Sequence, residues 1–234
     1  MNFDILAFGT HPDDIELCVG GILIKASKAG QKVGVVDLTQ GELGSRGDEK
    51  IRNKEAILAK EILGIKIREN LSLGDGKLYD NYQNRFIVAD TIRKYKPKII
   101  LAPFEKDRHP DHVAASMIIE KANFDARLKK LESDYPPHAT NQILFYLTHE
   151  YYSPTLIVDI SEVFFEKMRA IKAYDSQFCA PISSEECTPI GISNYIFHIE
   201  SRMRFYGSLI NVNYGEPLIS KYPLKIINLM RLFS

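Results

Sequence analysis

The chain has 234 residues, of which 45% are hydrophobic and 26% are charged, and its formal net charge is zero. This length is enough for one α/β domain with a sizeable core, and the balanced charge argues against a nucleic-acid-binding surface or a disordered tail. The longest apolar runs fall short of the ~18 residues that span a bilayer. We therefore predict neither a nucleic acid nor a membrane as a partner.

The N-terminal residues and the cysteines bear on the compartment. The first residues, MNFDILAF, lack a basic segment and enter a strand pattern at once, so we expect no signal peptide. Cys18, Cys179 and Cys187 are few and odd in number, which is typical of a reducing compartment rather than of a disulfide framework. The expected location is the cytoplasm.

The first half of the chain alternates strand-like and helix-like segments. In chain order, we predict a strand at 3–8, a helix at 17–29 ended by Gly30, a strand at 32–38, a helix at 48–63 ended by Gly64, a strand at 65–71, a helix at 85–95, a strand at 98–102 and a helix from Pro110 to about residue 124. This alternation with short loops predicts an α/β fold whose mostly parallel sheet carries helices on both faces.

The second half is less regular. It contains predicted strands at 142–148 and 155–160, a helix at 161–174 with Ser161 as N-cap, a loop at 176–193 and a helix at 195–206. The stretch after Tyr214 matches no pattern. We interpret residues 1–234 as a single domain, in which 1–125 form the core and 126–234 complete the sheet and the active site.

Two polar segments stand where a buried strand gives way to a helix. AFGTHPDDIEL, residues 7–17, includes the end of the first strand, and KDRHPDH, residues 106–112, follows the strand at 98–102. In an open parallel sheet, ligands bind beyond the carboxyl ends of the strands. Both segments are therefore expected to lie on one edge of the sheet and to face one crevice.

The residues of these segments form a set typical of metal-assisted hydrolysis. His11, Asp14 and His112 offer two imidazoles and one carboxylate, and three such ligands with one open position characterise a catalytic zinc site. Asp13 is then free to accept a proton from a water molecule that zinc makes acidic. His109, held protonated beside Asp111, is predicted to stabilise or protonate the far side of a reacting carbonyl.

Three other interpretations are compatible with the residues. Asp14 and the Pro110–Asp111 pair are ordinary helix-start residues, so each segment alone fits a structural role. Two His and one carboxylate also form the facial triad of Fe(II) oxygenases, although the additional Asp13 favours activation of water. A nucleotide-binding or nucleotide-sugar transferase domain fits the doubly wound pattern, but no GxGxxG follows the first strand and no GxxxxGK[ST] is present.

At these residues the chain resembles the LmbE-like, or PIG-L, N-acetylglucosaminyl deacetylase family. The family motifs (A/T)HPDD and HxxH stand here as THPDD at 10–14 and HPDH at 109–112. The resemblance implies a Rossmann-like fold, zinc as cofactor, removal of the N-acetyl group of a small GlcNAc conjugate, and assembly into a homo-oligomer. The roles that it implies are zinc ligands for His11, Asp14 and His112, general base for Asp13, and oxyanion stabilisation for His109 oriented by Asp111.

Softer segments indicate one branch of that family. DLTQGELGSRG at 37–47, followed by Arg52 and Glu55, is similar to the branch that makes low-molecular-weight thiols. KDRHPDH and KAYDSQF, at 172–178, resemble the bacillithiol-biosynthesis members, which deacetylate N-acetyl-glucosaminyl-malate (GlcNAc-malate). The mycothiol relatives act on a GlcNAc-inositol and amidases of thiol conjugates share both main motifs, so these substrates stay open.

A sugar joined to a dicarboxylate needs a cation at the rim of the site. Arg52 and Arg46 are predicted to supply it, because a guanidinium pairs bidentately with a carboxylate. Tyr195, in ISNYIF, matches a family position from which a tyrosine hydroxyl reaches the site. Each prediction has a structural alternative, namely solvated surface charges for the arginines and a buried aromatic ring for the tyrosine.

Overall fold

The computed structural model describes residues 2–178 and 195–226. Within these ranges one sheet contains the strands β1 (Ile5–Gly9), β2 (Val33–Asp37), β3 (Ile67–Asn70), β4 (Ile99–Pro103), β5 (Gln142–Tyr146), β6 (Leu156–Asp159) and β7 (Gly215–Ile219), in the spatial order β3-β2-β1-β4-β5-β7-β6. Strands β1 to β5 pair in parallel, and β7 runs antiparallel between β5 and β6. The predicted mostly parallel α/β fold is confirmed.

Helices cover both faces of this sheet. They are α1 (Asp14–Lys28), α2 (Glu49–Leu63), α3 (Tyr82–Tyr95), α4 (Pro110–Asp125), α5 (Phe164–Lys172), α6 (Asp175–Phe178) and α7 (Tyr195–Ser208). Apolar residues of α1, α2, α5 and α7 form a core on one face, and residues of α3 and α4 form a core on the other. Each helix in the described ranges is too short or too polar to cross a membrane.

Local signals explain where α2 begins and ends and where α3 begins. The Asp48 side chain accepts the N–H of Ile51 at 2.8 Å, and Gly64 takes a left-handed conformation (φ 67°) after α2, so both predicted ends of this helix are confirmed. The Asn81 side chain accepts the N–H of Asn84 at 2.9 Å. This cap starts α3 at Tyr82, three residues before the predicted start.

Two other helix starts differ from the prediction. Helix α1 begins at Asp14 rather than at residue 17, because the N–H of Leu17 already donates to the carbonyl of Asp13. The predicted N-cap at Ser161 is wrong. The Asp159 carboxylate accepts the N–H and the hydroxyl of Ser161, and the chain then passes through a 3-10 turn before α5 begins at Phe164.

The C-terminal part adds elements that the pattern did not show. The stretch after Tyr214 forms β7, which lies between two strands that precede it in the chain. The predicted loop 176–193 is partly helical, since its first three residues belong to α6, while Cys179, Cys187 and the rest of that loop lie outside the described residues. Cys18 is a buried free thiol in α1.

The sheet order creates one crevice at the carboxyl ends of the strands. From β1 the chain proceeds to β2 on one side, whereas β4, on the other side of β1, leads to β5. The loops that follow β1 and β4 therefore run in opposite directions and leave a crevice between them. Open α/β sheets bind ligands in such a crevice. The two polar segments follow these two strands.

Candidate metal centre and active site

The turn between β1 and α1 gathers the first group of side chains. Asp14 Oδ2 accepts the N–H groups of Thr10 (3.1 Å) and His11 (2.8 Å), which closes the turn around the carboxylate. Nδ1 of His11 lies 3.6 Å from the same oxygen. Asp13, between them, has a positive φ of 113°, a left-handed conformation that residues other than glycine rarely adopt.

The second polar segment reaches the same carboxylate from the other side of the crevice. Pro110 opens α4, and His112, in its first turn, places Nε2 at 3.5 Å from Asp14 Oδ2. His11, Asp14 and His112 are all buried, and their ligand atoms lie within 4.8 Å of one another. The structure thus brings together the three residues predicted as metal ligands.

The chemistry of these three groups fits a divalent cation. Burial lowers the pKa of His112, but Asp14 and Asp107 outweigh it and raise the pKa to about 9. Burial raises the pKa of Asp14, but the two imidazoles bring it well below its usual value. A cation among them would replace the protons that the imidazoles otherwise carry, so the donor set suits zinc.

Asp13 lies beside this group without belonging to it. Its side chain is buried, and its Oδ2 accepts from Nη2 of Arg52 at 3.2 Å. Burial raises the pKa of Asp13 to about 7, against the guanidinium of Arg52, and the charge of Asp14 adds to the increase. A carboxylate with a pKa near neutrality is suited to accept a proton from water.

Arg52 is enclosed by the protein rather than placed at a rim. Besides Asp13, its guanidinium donates to the carbonyls of Pro12 (2.6 Å) and Gly41 (3.1 Å). Gly41 has a φ of 71°, and a Cβ there would lie 1.8 Å from Nη1 of Arg52, so the close approach requires glycine. The geometry supports a role in holding Asp13 more directly than the predicted carboxylate clamp.

Arg46 and Tyr195 also line the cavity above these groups. Nη1 of Arg46 donates to the carbonyl of Gln177 at 3.4 Å, and Gln177 returns a bond to the Arg46 carbonyl at 2.7 Å. The ring of Tyr195 stacks on Phe178 with centroids 5.8 Å apart, and burial raises the pKa of its hydroxyl. Both residues are at the site, and a contact with substrate stays a prediction.

His109 and Asp111 interact differently from the prediction. Nδ1 of His109 accepts the backbone N–H of Asp111 at 3.2 Å, whereas the Asp111 carboxylate accepts the N–H of Gly76 at 2.6 Å and lies 3.7 Å from Nε2 of His11. Burial, His112 and His11 lower the pKa of His109. Because Nδ1 accepts a backbone N–H, a proton on this ring lies on Nε2, and the Asp111 carboxylate is bonded to Gly76 instead of orienting the imidazole.

The cavity over this centre has a volume of about 520 Å³, which accommodates a small sugar conjugate. Three residues around the centre were not predicted from the sequence. Asp75 Oδ1 lies 3.1 Å from Nε2 of His11, Asp107 Oδ1 lies 3.2 Å from Nδ1 of His112, and the His149 ring stacks on His112 with centroids 5.2 Å apart.

The positions of Asp75, Asp107 and His149 in the sequence could have identified them as site residues, because each follows a predicted strand. Asp75 follows β3 and His149 follows β5, at the same edge of the sheet as the two motifs, and Asp107 stands inside the second motif. Four of the five parallel strands, β1, β3, β4 and β5, are therefore followed by polar residues at this edge, as expected for ligand-binding α/β proteins.

Comparisons by sequence show which family and which characterised proteins the chain is similar to. A family model described as PIG-L, GlcNAc-PI de-N-acetylase, matches residues 6–123. The diacetylchitobiose deacetylase of Thermococcus kodakarensis is 33% identical over 190 residues, which cover 74% of this chain and 70% of that protein.

Two solved structures share the fold over nearly the whole chain. The conserved protein TT1542 from Thermus thermophilus has a TM-score of 0.88 and 34% identity, with 97% of this chain and 98% of the other covered. The N,N'-diacetylchitobiose deacetylase from Pyrococcus horikoshii, complexed with its inhibitor MPG, has a TM-score of 0.78 and 26% identity, with 92% and 82% covered.

Proposed function

The chain belongs to the PIG-L family of de-N-acetylases, and we propose that it uses zinc to remove the acetyl group from the amino sugar of a small GlcNAc conjugate. The observation that carries the proposal is the convergence of His11, Asp14 and His112 beside the separately held Asp13, at the floor of a cavity of about 520 Å³.

His11, Asp14 and His112 would hold the metal. When bound, zinc polarises the acetamide carbonyl and lowers the pKa of a water nucleophile. An Fe(II) oxygenase would use the same three ligand types, but it has no need of a buried carboxylate held beside them. The position of Asp13 therefore favours hydrolysis, as does the family.

Asp13 would transfer a proton, and His109 would donate a hydrogen bond. Asp13 accepts the proton of the attacking water and passes it to the nitrogen of the departing amine, while Arg52 holds its carboxylate in place. His109 donates from Nε2 to the oxygen that becomes negative when the carbonyl is attacked. Loss of one such donor typically costs roughly 10²–10³ in rate.

We propose GlcNAc-malate as the substrate. Support comes from the similarity of segments 37–47, 106–112 and 172–178 to the bacillithiol branch of the family, and from Arg108, whose exposed side chain lines the cavity. The guanidinium of Arg108 is accessible at the cavity wall, so it can pair with a carboxylate of malate without first breaking bonds to the protein, as Arg52 would have to.

Diacetylchitobiose is the second candidate. Two similar proteins carry the name of its deacetylase: a sequence relative at 33% identity and a solved structure of the same fold at 26% identity. A disaccharide fits the cavity volume as well as GlcNAc-malate does, and it has no carboxylate for Arg108. The substrates GlcNAc-inositol and a thiol conjugate fall under the same reaction, with a different group beyond the sugar.

Acetate release on a substrate panel tests the proposal. The panel is GlcNAc-malate, diacetylchitobiose, GlcNAc-inositol, a bacillithiol conjugate and free GlcNAc, with zinc-loaded and chelator-treated protein. We expect zinc-dependent release, fastest from GlcNAc-malate. Asp13→Asn protein should keep its zinc and lose turnover by about 10²–10⁴.

Each other result has a defined meaning. No acetate from any substrate would contradict deacetylation, and faster release from diacetylchitobiose would replace GlcNAc-malate with the second candidate. Asp13→Asn protein without zinc would make Asp13 a ligand.

A cytoplasmic location and assembly into a homo-oligomer stay predictions, to be checked by fractionation of cells and by light scattering of the purified protein.

A further inference from the structure

Asp107 contacts two separate imidazoles near the metal centre. Its carboxylate, whose side chain is 1% exposed, lies 3.2 Å from Nδ1 of His112 and 3.0 Å from Nδ1 of His149. It also accepts the backbone N–H groups of His109 (2.7 Å) and His149 (3.1 Å) and the hydroxyl of Thr148. One carboxylate thus joins the loops that follow β4 and β5.

The contact with His112 acts on the nitrogen that faces away from the metal centre. Nε2 of His112 faces Asp14, whereas Nδ1 faces Asp107. An anion beside Nδ1 favours a proton on that atom and leaves the lone pair of Nε2 for a metal. His11 has the same arrangement, with Asp75 at its far nitrogen.

The contact with His149 determines which of its nitrogens carries a proton. Because an ionised carboxylate only accepts, the proton of this hydrogen bond lies on Nδ1 of His149. Nε2 of a neutral ring is then an acceptor, and in residues 2–178 and 195–226 no group pairs with it. The side chain lines the cavity, and its ring is held parallel to His112, with an interplanar angle of 12°.

The loop that carries His149 is itself restrained. Arg202 of α7 donates to the carbonyls of Leu147 and Thr148, so the backbone just before His149 is bonded on one side by α7 and on the other by Asp107. These bonds leave the imidazole few alternative positions.

We propose that Asp107 is a positioning residue for two imidazoles: it directs Nε2 of His112 to the metal, and it directs Nε2 of His149 into the cavity, where it accepts a hydrogen bond from a sugar hydroxyl of the substrate. This inference rests on the proposed metal site and substrate class. It adds a substrate-binding residue, His149, from the second half of the chain.

Zinc affinity of Asp107→Asn protein tests the first part. The amide keeps an oxygen for the backbone N–H groups but is not an anion, so we expect zinc to bind about 10- to 100-fold more weakly in chelator competition. The absorption bands of the cobalt-substituted protein should also shift. Thr148→Val is the matched control, because it removes one bond to Asp107 and leaves the anion, and its zinc affinity should stay within about threefold of wild type.

His149→Phe tests the second part. Phenylalanine keeps a ring against His112 but has no acceptor, so zinc affinity should be unchanged while KM for the preferred GlcNAc conjugate rises up to about tenfold, as for one neutral hydrogen bond. An unchanged KM would remove His149 from the substrate site.

The outcomes separate this inference from the proposed function. Wild-type protein that binds no zinc and releases no acetate would contradict the proposed function. Zinc-dependent wild-type activity combined with wild-type zinc affinity in Asp107→Asn protein would overturn only the role of Asp107. A lower Tm of the zinc-free Asp107→Asn protein with unchanged zinc affinity would show that the carboxylate serves the loops alone.

Discussion

Arg52 shows how far residue type alone specifies a role. A guanidinium near a sugar-conjugate site predicts a carboxylate clamp, but in the fold the side chain is 5% exposed and its donors point at Pro12, Gly41 and Asp13. The left-handed φ of Asp13 is a conformation that costs a non-glycine residue of order 1 kcal/mol or more. The bonds from Arg52 to the Asp13 carboxylate and the Pro12 carbonyl offset part of this cost.

We expect Arg52→Ala to lower turnover about tenfold to hundredfold on substrates with and without a carboxylate alike. A lost charge-assisted bond is worth about 1.5–3 kcal/mol, and here it releases Asp13. Arg108→Ala is the matched control. It should raise KM roughly fivefold for GlcNAc-malate only, as for an exposed ion pair of about 1 kcal/mol.

Steady-state kinetics on GlcNAc-malate and free GlcNAc, with zinc content measured on each variant, decide between the two roles. If Arg52→Ala impairs GlcNAc-malate alone and acts on KM, Arg52 is the clamp that the sequence predicts, and its bonds to the protein are secondary.

At the scale of elements, α1 is held in its middle by the C-terminal part of the chain. Glu216 of β7 accepts the N–H groups of Gly21 (2.8 Å) and Ile22 (2.7 Å), and Lys167 of α5 donates to Glu216 (2.5 Å) and to the carbonyl of Leu17 (2.9 Å). Both charged side chains are almost fully buried, and burial of such a pair requires this degree of hydrogen bonding. Because α1 begins at Asp14, these bonds also help to place a proposed metal ligand.

Gly21→Ala should destabilise the protein although alanine favours helices. The added Cβ would lie 2.7 Å from Cγ2 of Ile160 and 3.0 Å from Oε1 of Glu216. Overpacking of this kind costs about 1–3 kcal/mol, which exceeds the gain of roughly 1 kcal/mol in helix propensity. A net loss of up to about 2 kcal/mol lowers Tm by up to roughly 8 °C for a chain of this size.

Gly20→Ala is the control for this prediction. Its Cβ would meet its nearest atoms at 3.6 Å, so Tm in a thermal scan should stay level or rise by up to about 4 °C. Equal losses in the two variants would mean that helix α1 does not tolerate alanine for a reason other than the contact with Ile160.

At the scale of the whole molecule, the site is assembled across the sheet. Asp75 follows β3, the first motif follows β1, the second follows β4, and His149 follows β5. The three proposed metal ligands follow the two strands on either side of the crevice, which are about ninety residues apart in the chain. A bound metal would therefore connect loops that only the sheet brings together.

Zinc should stabilise the whole fold for this reason. Zinc at a free concentration of about 100 times its Kd adds about 2.7 kcal/mol if only the folded state binds it, which corresponds to a rise in Tm of roughly 5–11 °C. His112→Ala protein should show no rise and little bound zinc. Thermal scans with chelator and with zinc, together with elemental analysis, measure both; stoichiometric zinc in His112→Ala protein would refute the ligand assignment.

The amino-acid sequence by itself determined the order of strands and helices in the first half of the chain, the mostly parallel α/β class and which three residues of the two motifs would lie together. Alternating apolar strands and amphipathic helices have local signals, such as the Asp48 cap and Gly64. The carboxyl ends of parallel strands share one edge whatever the details of packing. For that reason the sequence alone predicts that His11, Asp14 and His112 lie close together, and in the structure they do.

Only the tertiary structure decided how the remaining side chains pair. Strand β7 enters the sheet antiparallel between two earlier strands, and its short, proline-containing sequence has no periodicity that would show it. The enclosure of Arg52 and the contact of Asp107 with two imidazoles depend on short distances between residues that lie far apart or in separate loops. Hydrogen bonds are short-ranged and directional, so their partners follow from packing, whereas the strand pattern follows from hydrophobic burial that each segment carries in its own sequence.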